Sequence, residues 1–428
     1  MRLIVTLSWR LALCFVGHTA LAQASSPLAV SAPAQEGFSA ARLERVGAVI
    51  QPLVAAGDYL GAVTLIARNG KIVDWRTYGH RDLAQKVSMT RDSIFRIYSM
   101  TKTVASVAVL MLMEEGKLTL EDPVEKFIPE FAGLQVFAGG TAEAPLLRPP
   151  RQALTIRHLL THTGGFATSG GKEDHAAKRF KRFDLHQSPT LKAYTDYVAQ
   201  QALGADPGER FSYDGVSLEV LGRLVEVVSG MPFDAFLEKR ILAPLQMRDT
   251  GFSVPADKRA RIADMVTTNT DGKLVIAATH SALHPGEPLN PYPSGAGGLY
   301  STAGDYLRFC QMLLNGGSLD GVSILGRKTV DLMLLNHLDE ARIPAGSLRQ
   351  GEGFGLGGYV VVDVGRRGRP GSLGQFGWSG AGSTYFTIDR QEKLVAILLM
   401  QHLPQGLPKD PSKPSARFYN AVYQALVH

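Results

Sequence analysis

Two serines in the chain are each followed three residues later by a lysine, a spacing that can turn a serine hydroxyl into a nucleophile. On a helix such a pair shares one face, so the amine can reach the hydroxyl. Burial favours the neutral amine of a lysine, which can then accept the hydroxyl proton. The two pairs are Ser99 with Lys102 and Ser169 with Lys172.

A third serine, Ser88, begins the same tripeptide Ser-Met-Thr as Ser99 but is followed by Arg91. A guanidinium stays protonated in proteins and cannot act as a base, and the polar neighbourhood predicts a surface turn. Ser169 is followed by two glycines, which hold no fixed geometry. Ser99 precedes an apolar run typical of a buried helix, whose amino-terminal end places N–H groups near the serine. The residues alone favour Ser99 but leave two interpretations of it, a nucleophile or a plain helix cap.

Other patterns of potentially reactive residues give weaker evidence for a catalytic or metal site. The hydrolase turn G-x-S-x-G has no exact match, and the segment 377–381 fails only at its final Ala381. His158 and His162 have a spacing that metal ligands use, but no glutamate stands between them as in H-E-x-x-H. We therefore predict no metal site and no cofactor. Cys310 lies in an apolar helical pattern and is predicted to be a buried core thiol.

The elements that must position these residues follow from periodicity and turn signals. Strands are predicted near both ends of the chain and helices between them. The predicted elements are helices at 39–57, 101–115, 154–165, 217–230 and 416–428, a hairpin at 61–79 that turns at Asn69-Gly70, and strands at 354–363, 383–389 and 393–400.

This order predicts an α/β (α+β) fold, with one antiparallel sheet built from both termini, flanked by terminal helices, and an inserted mainly helical domain. We place the α/β domain at residues 37–130 and 285–428 and the mainly helical domain at 131–284.

The first 22 residues have the pattern of a secretory signal peptide. Arg2 and Arg10 flank an apolar run that ends in the cleavage pattern Ala-Leu-Ala at 20–22. The run is shorter than the roughly 20 apolar residues that a span needs, so no stable membrane span is expected. Residues 23–36 are predicted to be a flexible segment. Removal of the signal leaves Cys310 alone, and export without a disulfide suits a periplasmic enzyme.

The composition is that of an ordinary globular protein, with 45% hydrophobic and 20% charged residues and a formal charge of +6. The charges are scattered except for a basic cluster at 172–182, in which Phe180 is interleaved. No nucleic-acid-binding motif accompanies this cluster. We expect it to form a solvated helix or a loop over a pocket, and we expect no nucleic-acid partner. The oligomeric state is left open.

Several segments, in the right order, resemble the class C β-lactamase-like serine hydrolases, and the similarity runs from about residue 36 to the C-terminus. They are "RIYSMTKTVASVAVLMLMEEGKLTLEDPV", "LTIRHLLTHTGGF", "PGERFSYDGVSLEVLGRLVEVVSG", "NPYPSGAGGLYSTAGDYLRF" and "FGWSGAGSTYFTID". The resemblance implies the catalytic set Ser99, Lys102 and Tyr213, with Lys102 and Tyr213 activating the serine by sharing protons. It implies an oxyanion hole made by the backbone N–H groups of Ser99 and Ala381.

Two departures from the family pattern bear on the substrate. Many members have Tyr-x-Asn where this chain has Tyr213-Asp214-Gly215, and many have Lys-Thr-Gly where it has Trp378-Ser379-Gly380. A lysine there can help to hold the carboxylate of a penicillin or cephalosporin, whereas Trp378 offers an apolar face. Trp-x-Gly at this point resembles the family VIII carboxylesterases. The resemblance therefore implies substrate binding at Trp378, Ser379 and Gly380 and favours uncharged esters.

The sequence thus predicts a serine hydrolase that cleaves short-chain carboxylic esters through an acyl-enzyme, with a side activity on β-lactams. Its expected partner is a small-molecule ester or amide. The alternatives within the same fold are a β-lactamase and a D-amino-acid amidase or peptidase. An alternative of another class is a non-catalytic penicillin-binding protein, which would keep its covalent adduct.

Overall fold

The computed structural model describes residues 28–168, 174–182 and 184–428. Its strands are β1 Gly61–Arg68, β2 Lys71–Gly79, β3 Phe95–Arg96, β4 Val136–Gly140, β5 Pro145–Arg148, β6 Val266–Thr268, β7 Leu274–Ile276, β8 Tyr300–Ser301, β9 Ser318–Leu319, β10 Val322–Ser323, β11 Glu352–Phe354, β12 Tyr359–Val361, β13 Phe376–Gly380, β14 Thr384–Asp389 and β15 Leu394–Leu399.

The α-helices are α1 Ala40–Leu43, α2 Arg45–Ala55, α3 Thr101–Glu114, α4 Ile156–Leu160, α5 His175–Phe180, α6 Leu191–Ala199, α7 Val216–Ser229, α8 Phe233–Leu237, α9 His280–Leu283, α10 Ala303–Leu314, α11 Arg327–Met333, α12 Val364–Arg367 and α13 Ser415–Tyr423. Shorter 3-10 turns are Pro33–Glu36, Tyr98–Met100, Val124–Lys126, Pro129–Gly133, Leu185–Gln187, Ala256–Arg261 and Glu340–Arg342, and Glu238–Leu242 is a π-helix.

The central element is a seven-stranded sheet in the order β11-β12-β13-β14-β15-β1-β2. All its neighbouring strands pair antiparallel, and β1 from the amino-terminal part lies against β15 from the carboxy-terminal part. The hairpin of β1 and β2 turns at Asn69 and Gly70, whose φ values of 53° and 78° are those that the turn requires. The predicted fold, one antiparallel sheet built from both ends of the chain, is therefore confirmed.

The sheet separates two hydrophobic layers, as the alternation along β1 demonstrates. Val63 and Leu65 are buried in the core that contains α3 and α10, whereas Ala62 and Ile66 are buried in the core formed with α2 and α13. Successive residues of a strand point to opposite faces, so a strand buried on both sides is apolar almost throughout. The terminal helices thus cover one face of the sheet, as predicted.

Helix α3 is the main element of the other layer and begins directly after the turn that carries Ser99. Nearly all of its residues are buried, as its uniformly apolar sequence predicts. It packs against α7 and α8 of the helical part, and Thr103 Oγ1 donates to Gly357 O at 2.8 Å on the side of the sheet. The same helix therefore contacts both parts of the molecule and holds its first turn between them.

The described part of the amino-terminal segment makes specific contacts that the sequence did not predict. Residues 28–36 belong to the stretch predicted to be flexible, but Val30 forms a bridge with Ile72 and Pro33–Glu36 is a 3-10 turn. The buried Glu36 carboxylate accepts a hydrogen bond from Lys71 Nζ at 2.8 Å. The composition of this segment does not indicate that Glu36 binds Lys71 on β2.

Several smaller predictions from the sequence concern these elements. Helix α4 is shorter than predicted, because the chain leaves it after Leu160 to bring His162 into the interior. The described part of the basic cluster includes α5, with Lys178 exposed. Cys310 is a buried free thiol, as predicted. Residues 1–22 and the pair Ser169–Lys172 lie outside the described residues, and the domain boundaries at 130 and 285 stay predictions. None of the described helices is both long and apolar enough to cross a membrane.

Candidate active site

Ser99 lies on the 3-10 turn Tyr98–Met100, immediately ahead of α3. Tyr98 has a φ of 42°, a left-handed conformation that costs a non-glycine residue energy and is found at sites that the surrounding fold holds in place. Lys102 follows in the first turn of α3 with 3% of its surface exposed, and its Nζ is 3.2 Å from Ser99 Oγ. The pair predicted from the spacing is therefore formed.

A second contact orients the Lys102 amine. Its Nζ donates to Ala296 O at 2.7 Å, so the amine lies between this carbonyl and the serine hydroxyl. The buried Glu219 of α7 holds the turn before Ala296, because its carboxylate accepts hydrogen bonds from Ser294 Oγ and from Gly295 N at 2.9 Å. Burial raises the pKa of Glu219 to about 7. Glu219 thus supports the position of the lysine from behind.

Tyr213 is the third member of the predicted set and lies beside the lysine. Lys102 Nζ is 5.0 Å from the centroid of the Tyr213 ring. Trp378 Nε1 donates to the Tyr213 hydroxyl at 3.2 Å, and the two rings lie 5.2 Å apart. Tyr213 remains 38% exposed, so its hydroxyl is open to a bound molecule. The structure therefore brings Ser99, Lys102, Tyr213 and Trp378 together.

Two buried residues next to Tyr213 hold the segment that carries it. Asp214 is buried and caps α7, since its carboxylate accepts from Ser217 N at 2.6 Å and from Ser217 Oγ at 3.0 Å. The fully buried His162 has its Nδ1 3.4 Å from Asp214 Oδ2, and its ring lies 4.7 Å from that of Tyr213. Burial lowers the pKa of His162, which favours the neutral ring. Asp214 and His162 therefore support Tyr213 from the interior.

Strand β13 lies directly against the turn that carries Ser99. A Cβ added to Gly380 would lie 2.2 Å from Ile97 O, and one added to Gly382 would lie 3.2 Å from the Tyr98 ring. Glycines at both positions allow the backbone around Ala381 to approach residues 97–98 this closely. Ser99 and Ala381, the two predicted oxyanion donors, thus lie on contacting segments, and Ser379 is exposed on the same strand. The roles of the two N–H groups stay predictions.

Two cavities flank this group of residues. One, of about 670 Å³, is lined by Ser99, by apolar and aromatic residues that include Tyr194, Leu289 and Pro291, and by polar residues that include Glu219 and His280. The other, of about 500 Å³, lies beside Tyr213, Trp378 and Ser379. In the described parts of the chain no three His, Cys, Asp or Glu side chains converge as metal ligands would. His158, one of the two histidines at a spacing that metal ligands use, accepts from Thr155 N at 3.1 Å through its Nδ1.

Sequence reasoning missed Glu219, Ala296 and the structural role of His162. A glutamate inside the apolar helical run 217–228 was a usable signal, because a charge on a buried face requires a partner. The carbonyl of Ala296 carries no such signal, since any residue has one.

A family model described as Beta-lactamase matches residues 46–415 of the chain. The chain belongs to the beta-lactamase family. Within this family of serine hydrolases it is 34% identical over 365 residues to Protein Rv1367c of Mycobacterium tuberculosis, covering 83% of this chain and 89% of that protein. It is 28% identical over 382 residues to Esterase EstB of Burkholderia gladioli, covering 85% of this chain and 91% of the esterase.

A solved structure agrees over nearly the whole length. The structure described as EstCE1, a hydrolase with promiscuous acyltransferase activity, superposes with a TM-score of 0.74 at 28% identity, covering 90% of this chain and 99% of that one. The resemblance to β-lactamase-like hydrolases related to family VIII esterases is therefore confirmed.

Proposed function

We propose that this member of the beta-lactamase family cleaves short-chain carboxylic esters through an acyl-enzyme. The observation that carries the proposal is the contact of Ser99 Oγ with Lys102 Nζ at 3.2 Å, next to a Tyr213 hydroxyl that accepts from Trp378 Nε1. A nucleophile, a base and a second proton-carrying group are thus adjacent, which is the arrangement that acyl transfer requires.

In the proposed first step, Ser99 Oγ attacks the ester carbonyl carbon while its proton passes to the amine nitrogen of Lys102. The Ala296 carbonyl accepts an N–H of that amine at 2.7 Å, which leaves the nitrogen lone pair for the serine. The N–H groups of Ser99 and Ala381 bind the developing oxyanion. The bond to the alkoxide then breaks, and Tyr213 supplies the proton that the leaving oxygen needs and regains one from Lys102.

In the second step, a water molecule replaces the alcohol. Tyr213 passes its proton to Lys102 and takes one from the water as the water oxygen attacks the acyl carbon, and the leaving Ser99 Oγ takes the proton back from Lys102. The products are a carboxylic acid and the free enzyme, so atoms and protons balance. The exposed position of the Tyr213 hydroxyl is consistent with access of water and of leaving groups.

Two further observations support esters as substrates. Trp378 occupies the position at which a lysine would hold a β-lactam carboxylate, and it presents a ring and an N–H group there. EstB is named an esterase and EstCE1 a hydrolase, and both match this chain over most of its length. The cavity of about 670 Å³ beside Ser99 has room for a short acyl chain.

The test compares two chromogenic substrates with the mature chain. We expect p-nitrophenyl butyrate to be turned over with a far higher kcat/KM than the cephalosporin nitrocefin. The reverse order would assign the protein as a β-lactamase. Intact-mass spectrometry over time tests the non-catalytic alternative, because a β-lactam adduct that persists without turnover of either compound would indicate a penicillin-binding protein.

We also propose that the chain is exported with residues 1–22 as a cleaved signal, on the basis of the apolar run and the Ala-Leu-Ala pattern. Expression of the full chain in a bacterium, followed by fractionation and amino-terminal sequencing, tests this. A periplasmic protein that begins at residue 23 is expected, and an uncleaved cytoplasmic chain would contradict it.

A further inference from the structure

The cavity beside Tyr213 and Trp378 has basic walls. It measures about 500 Å³, and its charged lining residues are Arg349, Arg369, Lys413 and Glu352. Three cations and one carboxylate leave an excess of two positive charges around the space. The cavity on the other side, which Ser99 lines, has no arginine or lysine in its lining. The two spaces therefore differ in charge although both adjoin the same candidate catalytic group.

The one carboxylate of the basic cavity is already used by other groups. Glu352 Oε1 accepts from Arg367 Nε at 2.9 Å and from Arg369 Nη2 at 3.1 Å, and all three side chains are at least nine-tenths buried. The Nε of Arg369 has no hydrogen-bond partner among the described residues, nor has Nη2 of Arg367. Burial lowers the pKa of Arg369, and the nearby Arg367 and Arg349 lower it further. The buried pair of arginines is thus incompletely neutralised.

The other two cations are free to meet a ligand. Arg349 and Lys413 are exposed, and within the described parts of the chain neither has a carboxylate at ion-pair distance. Three of the four tyrosines of the lining, Tyr359, Tyr385 and Tyr419, do not offset the charge, because burial raises the pKa of each and keeps its hydroxyl neutral. A cleft with one sign of charge attracts and orients ligands of the other sign.

We propose that this cavity binds an anionic leaving group, an alcohol that carries a carboxylate, while the apolar cavity beside Ser99 takes the acyl chain. The inference rests on the proposed function, since it assigns the leaving group to the side of Tyr213, which donates the proton to the leaving oxygen. A guanidinium binds a carboxylate through charge-assisted hydrogen bonds in matching geometry, and Arg349 and Arg369 supply two such groups.

The inference refines the expectation of uncharged esters. That expectation followed from Trp378, which lacks the positive charge of a lysine at the same position. The structure supplies positive charge from other segments, because Arg349 lies in the loop before β11 and Lys413 lies just before α13. The substrate class becomes an ester with an apolar acyl group and an acidic alcohol.

The test uses two esters that differ only in charge. One is the butyrate ester of 5-hydroxy-2-nitrobenzoate, and the other is the same compound with its carboxylate masked as a methyl ester. Both release a nitrophenolate chromophore. At low ionic strength we expect kcat/KM for the carboxylate ester to exceed that for the methyl ester about tenfold, mainly through KM, and the ratio to fall as salt is added.

Substitution of the exposed cations locates the effect. We expect Arg349→Ala and Lys413→Ala each to lower the ratio, and the double variant to bring it close to one. Arg327→Ala is the matched control, because it removes the same charge from a side chain that is 69% exposed on α11, outside the cavity. An unchanged ratio in the double variant, or an equal fall in the control, would overturn the proposal.

The result also separates this proposal from the proposed function. If the wild-type protein hydrolyses p-nitrophenyl butyrate but shows no preference for the carboxylate ester, ester hydrolysis stands and the anion site fails. If no ester is turned over, calorimetric titration with free 5-hydroxy-2-nitrobenzoate and with its methyl ester still measures the site. Binding of the acid that Arg349→Ala weakens would support the site, and equal binding of acid and methyl ester would refute it.

Discussion

The tripeptide Ser-Met-Thr occurs at residues 88–90 and again at 99–101, and the two copies have different surroundings in the structure. In the first, Ser88 is exposed and forms a bridge with His80. The Arg91 that follows reaches away to Trp75, whose carbonyl accepts from its Nη2 at 2.8 Å. Among the described residues no lysine amine is hydrogen-bonded to the Ser88 hydroxyl, because the chain is extended there and then turns where a helix would be needed.

The second copy has the same three residues but lies at the start of a buried helix. Ser99 is half-buried on a 3-10 turn, Lys102 follows on α3, and their side chains meet at 3.2 Å. Elements distant in sequence complete the group, with Ala296 against the amine and Tyr213 beside it. The comparison indicates that reactivity of a short motif depends on the helix it begins and on the segments packed against that helix.

Replacing the two serines tests the comparison most strongly. We expect Ser99→Ala to lower kcat/KM for p-nitrophenyl butyrate by about 10⁴-fold or more, because the acyl-enzyme can no longer form. Ser88→Ala should remain within about twofold of the wild-type protein, as substitutions on exposed turns usually do. Substantial turnover by the Ser99 variant would show that another residue is the nucleophile.

Exchanging the basic residues tests whether the side chain three residues after the serine determines which copy is reactive. We expect Lys102→Arg to lower kcat about 10³-fold, because a guanidinium cannot accept the serine proton. Arg91→Lys should give no gain and leave kcat unchanged, since Ser88 does not lie on a helix. Circular dichroism confirms that both variants are folded. An active Lys102→Arg protein would remove the lysine from its proposed role as base.

Strand β13 approaches the turn that carries the second copy closely. We expect Gly380→Ala to push the strand away from residues 97–99, because the new Cβ would lie 2.2 Å from Ile97 O. Overpacking of this kind costs about 1–3 kcal/mol, and we expect kcat/KM to fall about 10²-fold through the displaced oxyanion hole.

Gly133→Ala is its control, since a Cβ there would meet no atom within 4 Å. The prediction fails if Gly380→Ala keeps wild-type kcat/KM and stability.

The smallest expected effect comes from replacing Glu219, the buried carboxylate that supports Lys102. Burial raises the pKa of Glu219 to about 7, above its ordinary value of 4.5, so the folded state holds this proton more tightly than the unfolded chain. The stabilisation is therefore fully present below pH about 4.5 and is lost as the pH rises to about 7. The difference is about 3 kcal/mol, and we expect Glu219→Gln to remove it.

Urea unfolding at several pH values, with the exposed Glu125→Gln as control, measures the difference. Curves of wild type and Glu219→Gln that run parallel from pH 5 to pH 8 would contradict this assignment.

Much of the fold was predictable because its signals are local. The Asn69-Gly70 hairpin, the apolar α3 and the late strands each follow from a short window of residues, and strands at both ends required a sheet that joins them. The prediction was wrong about the length of the helix at 154–165, and residues 28–36 proved to be packed on β2. In both places the segment contacts a residue distant in sequence, His162 with Tyr213 and Glu36 with Lys71.

The candidate site also has a part that the sequence predicted and a part that only the structure shows. The sequence, with its family resemblance, singled out Ser99, Lys102, Tyr213 and Trp378, and the structure places them together. Their catalytic roles stay predictions that the experiments above address. The support from Glu219 and Ala296 could not be predicted from spacing. It depends on a backbone carbonyl and on a turn in which Gly295 lies 76 residues from Glu219.

By itself the sequence determined which residues can do chemistry and which local elements carry them. Helical periodicity, turn residues and the chemical difference between lysine and arginine are properties of neighbouring residues and need no fold. Only the tertiary structure decided which side of the site is apolar and which is basic. Arg349, Arg369 and Lys413 lie on separate segments, and their charges add up in one cavity only because the packing of the sheet, the loop before β11 and α13 brings them together.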